Sequence, residues 1–474
     1  MFTAVPRITI AALRGGSGKT ILSLGIIAAL RDKGHVVAPF KKGPDFIDAS
    51  WLTLAAGRSC HNLDPFLMTH AQIVQSFVSH SKDADISVIE GNRGLFDGFD
   101  VNGRCSTAEL GKLLKTPVII VVDVTMTSRT IAAVILGCQK FDPDLEIGAV
   151  ILNRVAGSRQ ESIITRCVER YCEVPVVGAV PKFKGGFFPE RHMGLVPYQE
   201  REHANRAISW AKAIVESYLD MDEIFRLMHR TTPLNTMHIE QDKVGSALDQ
   251  NNPPRIGFIR DRSFWFYYPE NLEHLRNLGA ELVEIDSITE DKLPDIDALY
   301  IGGGFPETQA EALADNKGFR DSLREKIELG LPVYAECGGF MYLGETIIVD
   351  EKTYPMVGVL PIRFTLHEKP QGHGYTILEV SGDNPFYSVG EVLRGHEFHY
   401  SKAVFSSLGD IRLVFKVHRG CGIDGERDGI CKKNLLATYT HIHSGGNSLW
   451  GEGFFKSAVM YKKGMKCCEL DRLK

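Results

Sequence analysis

The stretch Leu331-Pro332-Val333-Tyr334-Ala335-Glu336-Cys337-Gly338-Gly339-Phe340-Met341-Tyr342-Leu343 sets one cysteine between an apolar run and a helix-like run. Its first part has the pattern of a short buried strand, and the glycine pair followed by Phe340, Met341 and Leu343 that of a tight turn entering a helix. Cys337 therefore sits on an elbow. A thiol placed there projects out of the sheet, and the N–H groups that open the helix are expected to lower its pKa and to hold a developing oxyanion. A buried cysteine beside packing glycines is the plainer reading, but three other features speak against it. Leu299-Tyr300-Ile301-Gly302-Gly303-Gly304-Phe305-Pro306-Glu307 ends another strand in a glycine turn whose bare N–H groups can complete an oxyanion site. Ala437-Thr438-Tyr439-Thr440-His441-Ile442-His443 brings histidines from far downstream, a normal place for the base of a cysteine nucleophile. Arg394-Gly395-His396-Glu397-Phe398-His399-Tyr400-Ser401 is too rich in titratable groups to be only core.

A second kind of chemistry opens the chain. Leu13-Arg14-Gly15-Gly16-Ser17-Gly18-Lys19-Thr20 lies between a predicted strand and a predicted helix. Gly15, Gly16, Ser17 and Gly18 let backbone N–H groups approach a polyphosphate, Lys19 can reach the β/γ oxygens, and Thr20 can ligate Mg²⁺. The full phosphate-loop pattern would want glycine where Leu13 stands. Two acidic loops follow at predicted strand ends, Lys42-Gly43-Pro44-Asp45-Phe46-Ile47-Asp48 and Glu90-Gly91-Asn92-Arg93-Gly94-Leu95-Phe96-Asp97-Gly98. Carboxylates at the rim of a phosphate site are what Mg²⁺ requires. Solvated turn residues are the alternative, since Asp-Gly pairs are common in turns. Three loops converging on one edge favour Mg-ATP.

The elements that must position these groups alternate. Residues 7–12, 35–41, 85–90, 117–124, 147–153 and 174–180 are apolar or β-branched, with helical patterns between them, one over 21–31. Such alternation predicts an α/β fold, a doubly wound parallel sheet with ligands at the carboxyl ends of its strands. Residues 203–230 have the pattern of one or two amphipathic helices that pack on a domain, and residues 231–254 that of a linker ending Asn251-Asn252-Pro253-Pro254. A second α/β unit begins at Arg255. The expected division is 1–200, a helical segment and linker over 201–254, and 255–474. With 474 residues, 44% apolar and 24% charged, the chain is ordinary globular protein. A net charge of −5 without a dense basic block gives no support for nucleic acid or an anionic membrane as partner. The longest apolar run, residues 118–122, is strand-sized and the N-terminus lacks a signal-peptide pattern. The cysteines, ten in all, have no C-x-x-C spacing, so a reducing cytoplasm is the expected setting, with the tail pair Cys467-Cys468 an unremarkable end.

The second half resembles the class I glutamine amidotransferase domain in its cobyric-acid-synthase-like branch, whose elbow cysteine hydrolyses glutamine through a thioester. The resemblance implies Cys337 as nucleophile and His441 as its base, because the histidine of the T/S-Y-x-H segment is His441 rather than His443. Ala335 replaces the first glycine of the usual elbow. His443 stands where many relatives keep a glutamate, which leaves the orienting group open. The first half resembles the amidoligases of the corrin pathway and, more distantly, dethiobiotin synthetase. The G-P-D-[FY]-I-D and E-G-x-x-G-L-F-D-G patterns, Arg191-His192-Met193-Gly194-Leu195-Val196-Pro197 and Tyr268-Pro269-Glu270-Asn271-Leu272 carry it over nearly the whole chain. It implies Thr20, Asp45 and Glu90 around Mg²⁺ and phosphate, with Asp48 and Asp97 near a substrate carboxylate. The implied activity is ATP- and glutamine-dependent amidation of the a and c side chains of cobyrinate, through an acyl phosphate and ammonia passed between the halves. Nickel-sirohydrochlorin and hydrogenobyrinate are alternative substrates that share every motif, and a homodimer is left open. A P-loop ATPase switch of the partitioning type is the remote alternative. It expects a lysine where Arg14 stands and leaves Cys337 and His441 idle.

Overall fold

Short β-branched runs separated by amphipathic ones have an economical solution, a parallel sheet with helices over both faces. The computed structural model describes residues 2–3, 5–183, 190–191, 194–195, 204–235, 252–407 and 409–464. The chain divides into two units, Met1–Gln241 and Asp242–Lys474. His192, Met193 and residues 196–203 of the expected motif and helix start, most of the expected linker, and Cys467-Cys468 lie outside the described residues.

The first unit holds seven strands: β1 (Arg7–Ala12), β2 (Val37–Lys42), β3 (His61–Leu63), β4 (Ile86–Glu90), β5 (Val118–Asp123), β6 (Ile147–Val155) and β7 (Val176–Pro181). They lie in the order β3-β2-β4-β1-β5-β6-β7, every neighbouring pair parallel. Alternate residues of one strand serve opposite layers. Ile119 and Val121 of β5 pack with Leu24 and Ile27 of α1 (Lys19–Asp32). Ile120 and Val122 pack with Ile131 of α5 (Thr130–Phe141) and Ile164 of α6 (Ser158–Cys172). Between these come α2 (Ile47–Ala56), α3 (His70–Ser81) and α4 (Thr107–Leu113). The sheet changes winding direction at β1, which places the loops after β1, β2 and β4 on one edge.

The amphipathic segment that the sequence sets apart belongs to this first unit. It forms α7 (Ala204–Tyr218) and α8 (Met221–Met228), whose Ala207, Ala211, Val215, Ile224 and Leu227 join the core of α1 and β5. An apolar stripe says that a face must be covered, not which surface covers it. The fit is close: a Cβ on Gly25 of α1 would run into the Ala211 carbonyl and stand 2.5 Å from Val215 Cγ2.

The second unit carries β8 (Arg255–Ile259), β9 (Glu281–Ile285), β10 (Ala298–Ile301), β11 (Val333–Glu336), β12 (Gly372–Val380), β13 (Val392–His399), β14 (Arg412–Arg419), β15 (Arg427–Lys432), β16 (Leu435–Thr438) and β17 (His441–Ile442). Their order is β9-β8-β10-β11-β16-β15-β14-β12-β13-β17. The strands from β9 to β16 are parallel and the rest antiparallel. Only Tyr439 and Thr440 stand between β16 and β17, so the antiparallel half curls until its far strand, β13, meets the residues following β16. Ala335 and Ala437 pack with Phe319 and Leu323 of α10 (Lys317–Glu328). Tyr300, Tyr334 and Leu436 pack on the other face with Leu272 of α9 (Pro269–Asn277) and with Trp450 and Phe454 of α12 (Ser448–Lys462). No helix among the described residues is long and apolar enough to cross a membrane.

Gly25→Leu is expected to lower the stability of the first unit by about 1–3 kcal/mol, because the added side chain must force α1 and α7 apart. Denaturant unfolding measures this, and a variant as stable as wild type would show that α7 is not part of that core.

Candidate active site

The elbow is built by backbone geometry that only small neighbours permit. Cys337 has φ 47° and ψ −100°, in the positive-φ region that costs energy for any residue with a Cβ. Its N–H donates to the Thr438 carbonyl at 2.8 Å and the Gly339 N–H to the Gly302 carbonyl at 3.1 Å. A Cβ on Gly338 would stand 2.9 Å from the Gly304 carbonyl oxygen, so the elbow lies directly on the Gly302–Gly304 turn. The same turn floors His441, whose Nε2 would be 3.3 Å from a Cβ on Gly303. Thiol and imidazole are thus gathered around one glycine turn. The His441 ring also stacks on Phe266 with centroids 4.1 Å apart.

Three clamps fix the segment that carries His441. Asp428 accepts from Thr438 Oγ1 at 2.7 Å and from the Tyr439 N–H at 3.2 Å. Asn271 donates to the Ile442 carbonyl at 2.7 Å and accepts from the Ser444 N–H at 2.7 Å. Glu336, 1% exposed, accepts the Ile442 N–H at 3.1 Å through Oε1, and its Oε2 lies 3.3 Å from His441 Nδ1. His443 points elsewhere: its Nε2 is 3.6 Å from Glu270 Oε2 and its Nδ1 accepts the Gly445 N–H at 3.0 Å.

The expected lowering of the thiol pKa is reversed. Burial pushes the Cys337 thiol up, the Glu307 carboxylate adds to it, and the opposing Gly338 N–H does not compensate. The helix after the cysteine, α11 (Gly338–Leu343), has six residues, too short for its dipole to outweigh desolvation. The polar strand β13 runs past the thiol, whose S–H faces the Phe398 carbonyl at 3.6 Å. On that strand Glu397 accepts the Cys421 and Gly422 N–H groups at 2.6 and 2.9 Å. His399 donates from Nδ1 to the Ser401 carbonyl at 2.9 Å, stacks on Tyr439, and is held neutral by burial, which pushes its pKa down to about 4.

In the first unit the glycine loop leads into α1 through Gly18 at φ 93°. Asn153 Nδ2 donates to the Ser17 carbonyl at 2.8 Å and Arg154 to the Gly16 carbonyl at 3.0 Å. Lys19 Nζ rests on the Arg93 carbonyl at 3.1 Å. Thr20 Oγ1 donates to Glu90 Oε1 at 2.6 Å. Lys41 Nζ, almost wholly buried, reaches Asp48 Oδ2 at 2.7 Å and Glu90 Oε1 at 3.0 Å. Burial alone would discharge this lysine, but Asp48, Glu90 and Asp45 overcome it and raise its pKa. Burial and the neighbouring Asp48 charge push Asp45 up to about 7. For Asp48 burial is outweighed by Lys41, which holds the carboxyl below its ordinary range. Glu90 Oε2 is buried and has no hydrogen-bond partner, an orphaned oxygen of the kind a divalent cation satisfies.

Comparison with known proteins agrees with both halves. Residues 8–195 match the CobQ/CobB/MinD/ParA nucleotide binding domain, and residues 255–448 the CobB/CobQ-like glutamine amidotransferase domain. The cobyrinate a,c-diamide synthase of Magnetococcus marinus is 44% identical over 94% of this chain and 96% of its own. That of Archaeoglobus fulgidus is 40% identical over 97% and 98%, and that of Listeria monocytogenes serotype 4b 40% over 92% and 96%. The chain belongs to the cobyrinate a,c-diamide synthase family. Like other members of that family it is a glutamine-dependent amidating ligase with a nucleotide-binding domain.

Of the residues expected in this synthase-family site, the structure brings Thr20, Asp45, Asp48 and Glu90 into one cluster with Lys19 nearby. Asp97 stands apart from it, exposed, with Oδ2 accepting the Gly94 N–H at 2.9 Å in its own turn. Gly94 in turn abuts the Leu13 carbonyl, which keeps this loop beside the phosphate loop. Sequence reasoning missed Lys41, Asn153 and Arg154. The available signal was polar residues closing apolar strands, at the edge where ligands bind.

Asp45→Asn is expected to gain stability relative to wild type between about pH 5 and about pH 8. The stability tied to the protonated Asp45 carboxyl is complete below 3.8 and is lost as pH rises through about 7. Urea unfolding of both proteins at the two pH values checks it, and an unchanged difference would mean that Asp45 is ionised throughout.

Proposed function

We propose that this chain amidates the a and c side-chain carboxylates of cobyrinate with ATP and glutamine, as its relatives' names suggest. The observation that carries the reading is the presence on one chain of a carboxylate-lined phosphate loop and a cysteine elbow whose glycine turn also floors a histidine. Amide formation from acid and ammonium fails near neutral pH because a carboxylate is a poor electrophile and ammonium has no lone pair to offer. Both partners need activation, and each unit supplies one activation.

In the first unit the loop from Gly15 to Gly18 and Lys19 hold the nucleotide phosphates, with Asp48 and Asp97 on the substrate side. Thr20, Asp45 and Glu90 are the residues that would hold Mg²⁺, which supplies positive charge against the phosphoryl group in transfer. The substrate carboxylate takes the γ-phosphoryl group of ATP, ADP leaves, and the carboxylate becomes an acyl phosphate, a mixed anhydride open to attack. In the second unit His441 takes the Cys337 proton as Sγ attacks the glutamine carboxamide, with the Gly338 N–H facing the oxyanion. The protonated base gives that proton to the leaving nitrogen, ammonia departs, and water cleaves the thioester to glutamate. Ammonia then displaces phosphate from the acyl phosphate to give the amide.

The test supplies Mg-ATP and glutamine with cobyrinate, hydrogenobyrinate or nickel-sirohydrochlorin in parallel and measures product mass. Two added amides on cobyrinate alone are expected; amidation of another macrocycle instead would overturn the substrate. Cys337→Ser is expected to lose glutamine-driven amidation while amidation driven by ammonium chloride persists at the wild-type rate. Loss of both, or of neither, would remove the assigned division of labour.

A further inference from the structure

The histidine of a cysteine nucleophile needs a third group that fixes its tautomer and stabilises the imidazolium it becomes. Two residues after His441, where that group would be sought, stands His443, and its contacts lie with Glu270 and Gly445 rather than with His441. The carboxylate at the far side of the His441 ring comes instead from Glu336, the residue immediately before the nucleophile. We infer that Glu336 is the positioning residue of the glutaminase site, orienting His441 from the nucleophile's own strand.

The geometry supports this from both ends. Glu336 closes β11, where it pairs with Thr438 of β16, so its side chain enters the layer into which the chain returns at β17. Oε1 receives the Ile442 N–H, and that hydrogen bond fixes the backbone next to His441. Oε2 stands at 3.3 Å from Nδ1 and also receives the Tyr300 hydroxyl at 3.0 Å. Tyr300 is tied in turn to Asn271, which holds the Ile442 carbonyl. With Nδ1–H donating to the carboxylate, Nε2 keeps its lone pair on the edge over Gly303, the turn on which the Cys337 elbow lies. The other titratable side chains around the ring do not compete for this role. His396 is across the strand pair from His441, and His399 is kept neutral by burial.

This inference rests on the glutamine-hydrolysing reading of the second unit, so wild-type protein must first be shown to release glutamate from glutamine, and a wild type that cannot do so would overturn both. Glu336→Gln then keeps the volume and removes the charge. The glutaminase kcat is expected to fall by roughly 10²- to 10⁴-fold with little change in KM for glutamine, as when a triad carboxylate becomes an amide. The acid limb of the kcat/KM profile is expected to move to lower pH, since the carboxylate that favours imidazolium is gone. Amidation driven by ammonium chloride should stay at the wild-type rate. A Gln variant with wild-type kcat, or with reduced kcat and an unmoved acid limb, would overturn the assignment. Should the Gln variant fail to fold, Glu336→Asp keeps the charge but shortens the reach, and its kcat is expected to be reduced while its acid limb stays near that of wild type. Wild-type kcat in Glu336→Asp would overturn the assignment equally.

Discussion

In each unit the edge that carries the candidate site is organised by a carboxylate taken out of water at the end of a parallel strand. Glu90 is the last residue of β4 and wholly buried; Glu336 is the last residue of β11 and 1% exposed. A desolvated charge without partners costs several kcal/mol, so such a residue is tolerated only where other segments bring donors to it. Thr20 comes to Glu90 from the start of α1 and Lys41 from the end of β2. Tyr300 and the His441–Ile442 segment come to Glu336 from β10 and β17. Satisfying one charge therefore fixes the relative position of several segments at once, and those segments border the candidate sites.

Glycine does the complementary work of allowing approach. At Gly18 a positive φ turns the phosphate loop into α1, and a Cβ there would collide with the Asn153 amide that braces Ser17. In the second unit the glycines lie face to face: Gly338 and Gly339 of the elbow contact the turn from Ile301 to Gly304. Cys337 itself bears the strained φ, at the one elbow position that carries a thiol. The hydrogen bonds from Cys337 and Gly339 to Thr438 and Gly302 hold that conformation in place.

The features legible in the sequence were those written in one continuous stretch. The strand–glycine–helix patterns at Gly15–Gly18 and at Cys337 marked both candidate sites, and the structure forms both turns, because bare backbone next to a helix start is a local property. The parallel sheet of the first unit was legible from its alternation, within two residues at the boundaries of six strands, while the three-residue β3 at its edge was too short to show a pattern. What could not be read was pairing between segments. Lys41 looks like an ordinary strand-end lysine until β4 places Glu90 beside it. Glu336 looks like a spacer in the elbow motif until β17 returns from a hundred residues away. The helices α7 and α8 show their apolar faces plainly, but only the small Gly25 on α1 says where they dock. The thiol pKa was misjudged for the same reason: the helix start was visible, whereas the desolvation and the Glu307 charge were not.

The two sites also differ in when they carry charge. In the first unit Lys41 and Asp48 form an ion pair before any ligand arrives, while burial pushes the Glu90 carboxyl up, so the polarity of this edge is largely preset. In the second, burial keeps the Cys337 thiol protonated and His399 neutral, so no thiolate waits in the resting site. On the proposed reading the proton leaves Cys337 as the carbon–sulfur bond forms, and the charge pair created then lies among Glu336, the glycine turn and the Gly338 N–H. A thiol held in this way is a weak target for oxidants, whose attack follows thiolate character and exposure. On the proposed reading it becomes a nucleophile only with a substrate in place, which suits a site whose ammonia is of use only when an activated carboxylate is there to receive it.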